Sequence, residues 1–207
     1  PKLAKSSCGM SKSAKTVGRP RIFNEELVLE QVLQQFWQHG YEGTTFKHLT
    51  QATGLHKGSL YQAFGDKRAL FLKSLRNYLD VSYRIVMSQV NPKDEPIDQL
   101  RSLMHAVISM SADPDGNHCG CMVVHTMVEC SPLDEDIQAV IDAGYTKRME
   151  TLAEMVAYAQ QRDQVNSKLP AEQVAEMICT LEAGIAATLK STLSEQQAQR
   201  MTDDFIA

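Results

Sequence analysis

Apolar residues recur along this chain at spacings of three and four and form no strand-period segment, so each predicted element is a helix. Leu29, Val32, Leu33 and Phe36 make an i, i+3, i+4, i+7 stripe. Asn24 precedes it as a cap, Glu25 and Glu26 occupy its first turn, and Gly40 is expected to end it. Trp37 lies just off the stripe and reads as packing. Thr45 then caps a short helix carrying Phe46 and Leu49, which Thr53-Gly54 breaks. A second short helix follows, with Leu60 and Phe64 on its core face, Gly58 and Gln62 opposite, and Ser59 and Tyr61 on the flanks. Two short helices joined by a tight glycine turn form a helix-turn-helix, whose second helix enters the DNA major groove. Asp66 caps a long helix running to about Met87, expected to bridge this unit to the second half of the chain.

Beyond the breaker-rich segment from Asn91 to Pro96, a helix is predicted from about Ile97 to Ala112, followed by a turn over 113–117. The stretch from Cys121 to Cys130 is apolar nearly all round and should be a helix buried in the middle of a bundle. Asp134 to Arg162 reads as one long helix, interrupted at most by Gly144. Pro170, at a first helical position, opens another to about Ser191, and Ser194 to Phe205 forms the last. The Pro170 helix carries Ala175, Cys179, Ala183, Gly184 and Ala187 beside Ile178, Leu181 and Ile185. Two apolar faces on one helix require two partners.

The pattern Ala52-Thr53-Gly54-Leu55, Lys57-Gly58-Ser59-Leu60-Tyr61, Phe64 and Asp66-Lys67 resembles the signature of the TetR family of bacterial repressors, and Phe36, Gly40-Tyr41 and Thr44-Thr45 extend the likeness. It covers roughly residues 21–79. The resemblance implies an all-α protein with an N-terminal three-helix helix-turn-helix domain (22–68) and a C-terminal helical bundle for ligand binding and dimerisation (69–207), preceded by a flexible basic arm (1–21). It implies a repressor released from its operator by a small-molecule inducer, not an enzyme. It also implies a homodimer joined through the Pro170 helix and the last helix, with Ile178, Leu181, Ala183, Gly184, Ala187 and Phe205 at the interface. A two-fold dimer presents two reading helices to a palindrome. Thr45, His56, Lys57, Gly58, Ser59, Tyr61 and Lys67 occupy positions the family uses against DNA. Gln62 joins them on chemical grounds, because an exposed amide can pair bidentately with adenine.

Charge sharpens this picture. The net charge of −4 over 207 residues divides at Asp80: residues 1–80 hold 12 Lys+Arg against 6 Asp+Glu, net +6, and the remainder 9 against 19, net −10. A positive first half suits a phosphate backbone, whereas a negative second half should face away from it. Residues 1–21 contain six Lys and Arg with no acid, and too few apolar groups to order alone. Within them Gly18-Arg19-Pro20-Arg21 is similar to an AT-hook core, so Arg19 and Arg21 are expected in an A·T-rich minor groove. No apolar run is long enough to span a bilayer, which places the protein in the cytoplasm without a membrane partner. Five cysteines, an odd number, argue against a disulfide scaffold.

Nine of ten methionines lie after Asp80. Flexible thioethers suit a cavity for a small apolar or cationic inducer, expected among the helices containing Ile97, Cys121 and Asp134. Its lining would include Met104, Ile108, Met122 and Met149, with His105, His125, Thr126 and Tyr145 as polar contacts. The alternative is a thiol- or metal-responsive repressor sensing through Cys119 and Cys121, beside His118 and His125, although a lone C-x-C is a weak metal signal. A Cys121–His125 enzyme lacks any orienting acid or phosphate loop. No cofactor or resident metal is expected.

Overall fold

The computed structural model describes residues 23–111, 119–130, 134–165 and 168–206. The described residues form nine helices and no strand: α1 (Glu25–Gly43), α2 (Phe46–Thr53), α3 (Lys57–Phe64), α4 (Lys67–Ser88), α5 (Pro96–Ser109), α6 (Met122–Glu129), α7 (Glu135–Gln161), α8 (Ala171–Leu189) and α9 (Glu195–Ile206). Local caps set their starts. Asn24 Oδ1 accepts from the backbone N–H groups of Glu26 and Leu27, Asp66 from Ala69 and Asp134 from Ile137. At α2 the cap is reciprocal: Thr45 Oγ1 accepts from His48 N, and His48 Nδ1 accepts from Thr45 N, both at 3.3 Å.

Several expectations are corrected. Gly40 breaks α1 without ending it: its φ of 74° and ψ of 177° interrupt the helix, which resumes to Gly43. Pro170 is the N-cap of α8 rather than its first residue. Helix α7 runs unbroken through Gly144, where a Cβ would stand 2.7 Å from Leu79 Cδ2, so the glycine permits close passage of α4. Helix α6 is not buried all round: Met122 and Thr126 are buried, but Val128 is 82% exposed. A helix this short packs one face, and its apolar composition alone could not say which residues that face would hold.

The first core cluster gathers Val32, Phe36 and Trp37 of α1, Leu49, Leu60 and Phe64 of α2 and α3, and Leu70, Phe71 and Leu75 of α4 with Met122, Ile137 and Ile141. The second joins α4, α5, α7 and α8 through Val86, Leu103, Met104, Leu152, Val156, Ala175 and Ile178. Helix α4 therefore belongs to both, as a bridge should. Helix α5 also packs along α9, and α6 touches α1, α4, α7 and α8.

Candidate functional site

The α2–α3 pair is held from beneath by Leu49 and Leu60, both almost wholly buried. The Gly54 cap is left-handed, with φ 65°, and turns the chain from one helix to the next. On the outer side Phe46 and Tyr61 lie with ring centroids 4.8 Å apart, and Lys57 Nζ sits 4.5 Å from the Phe46 centroid and 5.3 Å from that of Tyr61. Such contacts keep an ammonium group near the start of α3 while leaving it open to solvent. Thr45, His56, Lys57, Gly58, Tyr61 and Gln62 are exposed; Ser59 and Lys67 are half-buried. No side chain caps α3, so the N–H groups of Lys57 and Gly58 are left as donors at its start, while that of Ser59 turns back to the His56 carbonyl at 2.9 Å. Lys67 lies over the Tyr41 ring at 4.6 Å. Arg19 and Arg21 lie outside the described residues.

This unit is fastened to the bundle at several points. Trp37 Nε1 donates to the Gly120 carbonyl at 2.9 Å, and the indole meets Tyr78 edge-on at 5.7 Å. Arg68, at the start of α4, bonds Asp134 through Nε at 2.7 Å and Nη2 at 2.8 Å, and also reaches Asp136 at 2.6 Å. The hydrogen bond from Arg68, supported by the Ile137 N–H, holds the Asp134 carboxyl below the usual range. Glu129 accepts from the N–H groups of Tyr41 and Glu42, each at 2.8 Å. The hydrogen bonds among these ties join residues 66 to 88 positions apart, and no local pattern in the sequence signals them.

The expected inducer set is not gathered in one place. Met104 and Met149 belong to the second core cluster, Met122 to the first and Ile108 to a third beside α9. Tyr145 is 47% exposed on α7. Thr126 satisfies itself on the Met122 carbonyl at 2.7 Å, and His105 Nε2 lies 3.1 Å from Asp203 Oδ1. A cavity of about 400 Å³ opens instead between α5, α7, α8 and α9, lined by Ile97, Leu100, Met104, Val156, Ile178 and Phe205 among others. Only Met104 was foreseen there. Gln164 is its main polar group, and that amide is already engaged with Ile97 N at 3.1 Å and Glu95 Oε2 at 2.6 Å.

Along α8 and α9 runs an open apolar groove lined by Leu169, Met177, Leu181, Gly184, Met201 and Phe205. Of the expected interface set, Gly184, Ala187 and Phe205 are exposed and Leu181 and Ala183 half-buried. Ile178 is 3% exposed and belongs to the protomer's own core, which corrects its assignment. Leu169, Met177 and Phe205 line both groove and cavity.

Of the four described cysteines two are buried and two half-buried. Cys119 and Cys130 are buried, and burial together with Glu129 pushes the Cys130 thiol up to about 11. Burial and Glu182 do the same for Cys179. Cys121 is half-buried, with the Tyr78 hydroxyl 3.7 Å from its sulfur. Among the described residues no three His, Cys, Asp or Glu side chains cluster to hold a metal; His118 lies outside them. Nor is any described helix long and apolar enough to cross a membrane.

The family described as "Bacterial regulatory proteins, tetR family" matches residues 28–73, and "Tetracyclin repressor-like, C-terminal domain" matches residues 96–205. The HTH-type transcriptional repressor ComR of Escherichia coli K12 is 24% identical over 187 residues, covering 90% of this chain and 89% of ComR. Among solved structures, the TetR family regulator CifR, complexed with 26bp double-strand operator DNA, superposes with a TM-score of 0.78 at 22% identity, over 91% of this chain and 98% of CifR. AibR, solved with isovaleryl coenzyme A and operator DNA, gives 0.68 at 22% identity, over 87% and 95%. With its helix-turn-helix and helical C-terminal region both matched, the chain belongs to the TetR family and is a DNA-binding transcriptional regulator.

Proposed function

We propose that this protein is a repressor that binds a palindromic operator as a homodimer and leaves it when a small apolar effector enters the α5–α9 cavity. The observation that carries the reading is α3 itself: an uncapped, exposed N-terminus with Lys57, Gly58, Ser59, Tyr61 and Gln62 on its free face, fixed from below by Leu60 and Phe64. The basic arm with Arg19 and Arg21 would add minor-groove contacts outside each half-site. The unit comprising residues 22–68 reads DNA, and residues 69–207 bind the effector and the second subunit. The apolar α8–α9 groove supports the dimer, since a second copy of these helices would cover Met177, Met201 and Phe205.

A neutral effector suits the cavity better than a cation. Its lining supplies no carboxylate, so a buried charge would lose hydration without a partner. Effector entry and dimer geometry are linked by shared side chains: a molecule that displaces Met177 or Phe205 inside must reshape the groove outside. The thiol-sensing alternative through Cys119 and Cys121 is disfavoured at Cys119 by its burial.

The test uses an operator selected from random DNA with the full chain. Tyr61→Phe keeps the ring on Phe46 but removes a hydroxyl donor, and should weaken all sequences alike by about 1 kcal/mol. Gln62→Ala should instead relax preference at one base position, by about 1–3 kcal/mol. Equal losses for Gln62→Ala on selected and random DNA would remove it from the reading set.

A further inference from the structure

The break in α1 needs an external partner, and that partner comes from α6. Where Gly40 leaves the helical conformation, the N–H groups of Tyr41 and Glu42 begin a new turn. Glu129 Oε2 accepts from Tyr41 N and Oε1 from Glu42 N, both at 2.8 Å, so one carboxylate caps this turn from 88 residues away. A Cβ at position 40 would stand 2.7 Å from Glu129 Oε2, so a side chain there would push the carboxylate off its seat, and the φ of 74° favours glycine as well. On the other side of the break the Thr44 hydroxyl donates to the Gly40 carbonyl at 2.6 Å, with the Gln35 carbonyl sharing the same proton at 3.1 Å. Thr45 follows at once as the cap of α2. The direction in which α2 and α3 leave the bundle is therefore decided at this turn.

Glu129 is the last residue of α6, and the Gly120 carbonyl just before that helix holds Trp37. Helix α6 thus straps the second half of α1 at both ends. Its near end also meets α8, because a Cβ on Gly120 would lie 2.8 Å from the Ala186 carbonyl oxygen. The Arg68 contacts with Asp134 and Asp136 are a weaker candidate for fixing the angle: Arg68 is 41% exposed there, where ion pairs contribute little.

We propose that Glu129 is a positioning residue that sets the angle between the helix-turn-helix and the bundle, and hence the separation of the two reading helices in the dimer. This rests on the two-half-site reading above. The experiment compares the full-length protein with Glu129→Gln and Glu129→Ala on three DNAs: the selected palindrome, the same palindrome lengthened or shortened by one base pair at its centre, and a single half-site. Half-site affinity should be unchanged, because no reading residue is altered. Palindrome affinity should fall about tenfold in Glu129→Ala, the scale of a lost charge-assisted hydrogen bond, and less in Glu129→Gln, which keeps one acceptor. Discrimination between native and altered spacing should shrink in the same order. Variants that lose thermal stability but keep wild-type spacing discrimination would make Glu129 merely structural and overturn the proposal. Should Glu129→Ala fail to fold, the Gln variant decides alone by the same criterion. If the wild-type protein itself ignores spacing, the two-half-site reading fails first and takes this inference with it.

Discussion

His125 lies on α6 with its ring against Gly120, where a Cβ would come within 3.1 Å of Nε2. Burial holds its imidazole below the usual value, Lys190 adds to the effect, and Glu129 opposes it. A histidine lowered in the folded state favours the neutral form, so its stabilising contribution is complete above the unfolded value of about 6.5 and is lost as pH falls through the folded one. Urea midpoints measured at about pH 7.5 and 5.5 should therefore drop more for the wild type than for His125→Gln. Parallel losses would show that other groups carry the acid sensitivity. This residue also illustrates what a sequence conceals. His105, His125 and Thr126 were all expected to face an inducer, yet His105 meets Asp203, His125 packs on Gly120 and Thr126 turns back to Met122. Helical spacing says which residues share a face, not which partner that face will find.

At the scale of elements, whatever depends on neighbours within a turn or two was legible. The caps at Asn24, Thr45 and Asp66 and the Gly54 turn arise from contacts a few residues apart, and the core face of α3 shows as a one-turn spacing of Leu60 and Phe64. Helix α6 was legible between Cys121 and Cys130, but its role was not, because that role comes from α1 and α8, far away in the chain. Gly120 is the clearest instance. Its φ of 72° and the approach of the Ala186 carbonyl leave no room for a side chain, although in the sequence it is only the residue between two cysteines. Gly120→Ala should cost about 1–3 kcal/mol through strain at that position. The Trp37 bond to its carbonyl should loosen as well, and since Trp37 is the sole tryptophan, its emission reports the change directly. A variant with unchanged melting temperature and unchanged emission would mean that the segment yields without consequence.

The whole molecule divides its labour by charge and by packing. The basic first 80 residues end in the bridge helix α4, whose start is tied to α7 by Arg68 and whose later part enters the second core beside α5 and α7. The cavity and the groove share Leu169, Met177 and Phe205, and neither is lined by a residue of the α1–α3 unit; on the proposed reading an effector there would act on subunit geometry before it acts on DNA contacts. The cavity shares α5 and α7 with the one expected among the Ile97, Cys121 and Asp134 helices but closes on α8 and α9 in place of α6, because it forms where four helices meet and no one of them marks it. By linkage, an effector that weakens operator binding must itself bind less tightly to the DNA-bound dimer, by the same factor. The central claim is thus a coupled equilibrium, and its most direct measurement is an anisotropy titration of the labelled, selected palindrome. It would be repeated with a series of neutral medium-chain alcohols and with tetraalkylammonium ions of similar size. The account predicts two protomers per duplex, affinity roughly a thousandfold or more above scrambled DNA, and weakening by the neutral series alone, abolished by Ile97→Trp, which fills the cavity. Binding by single protomers without preference for the palindrome, or equal weakening by the ammonium ions and in Ile97→Trp, would contradict it.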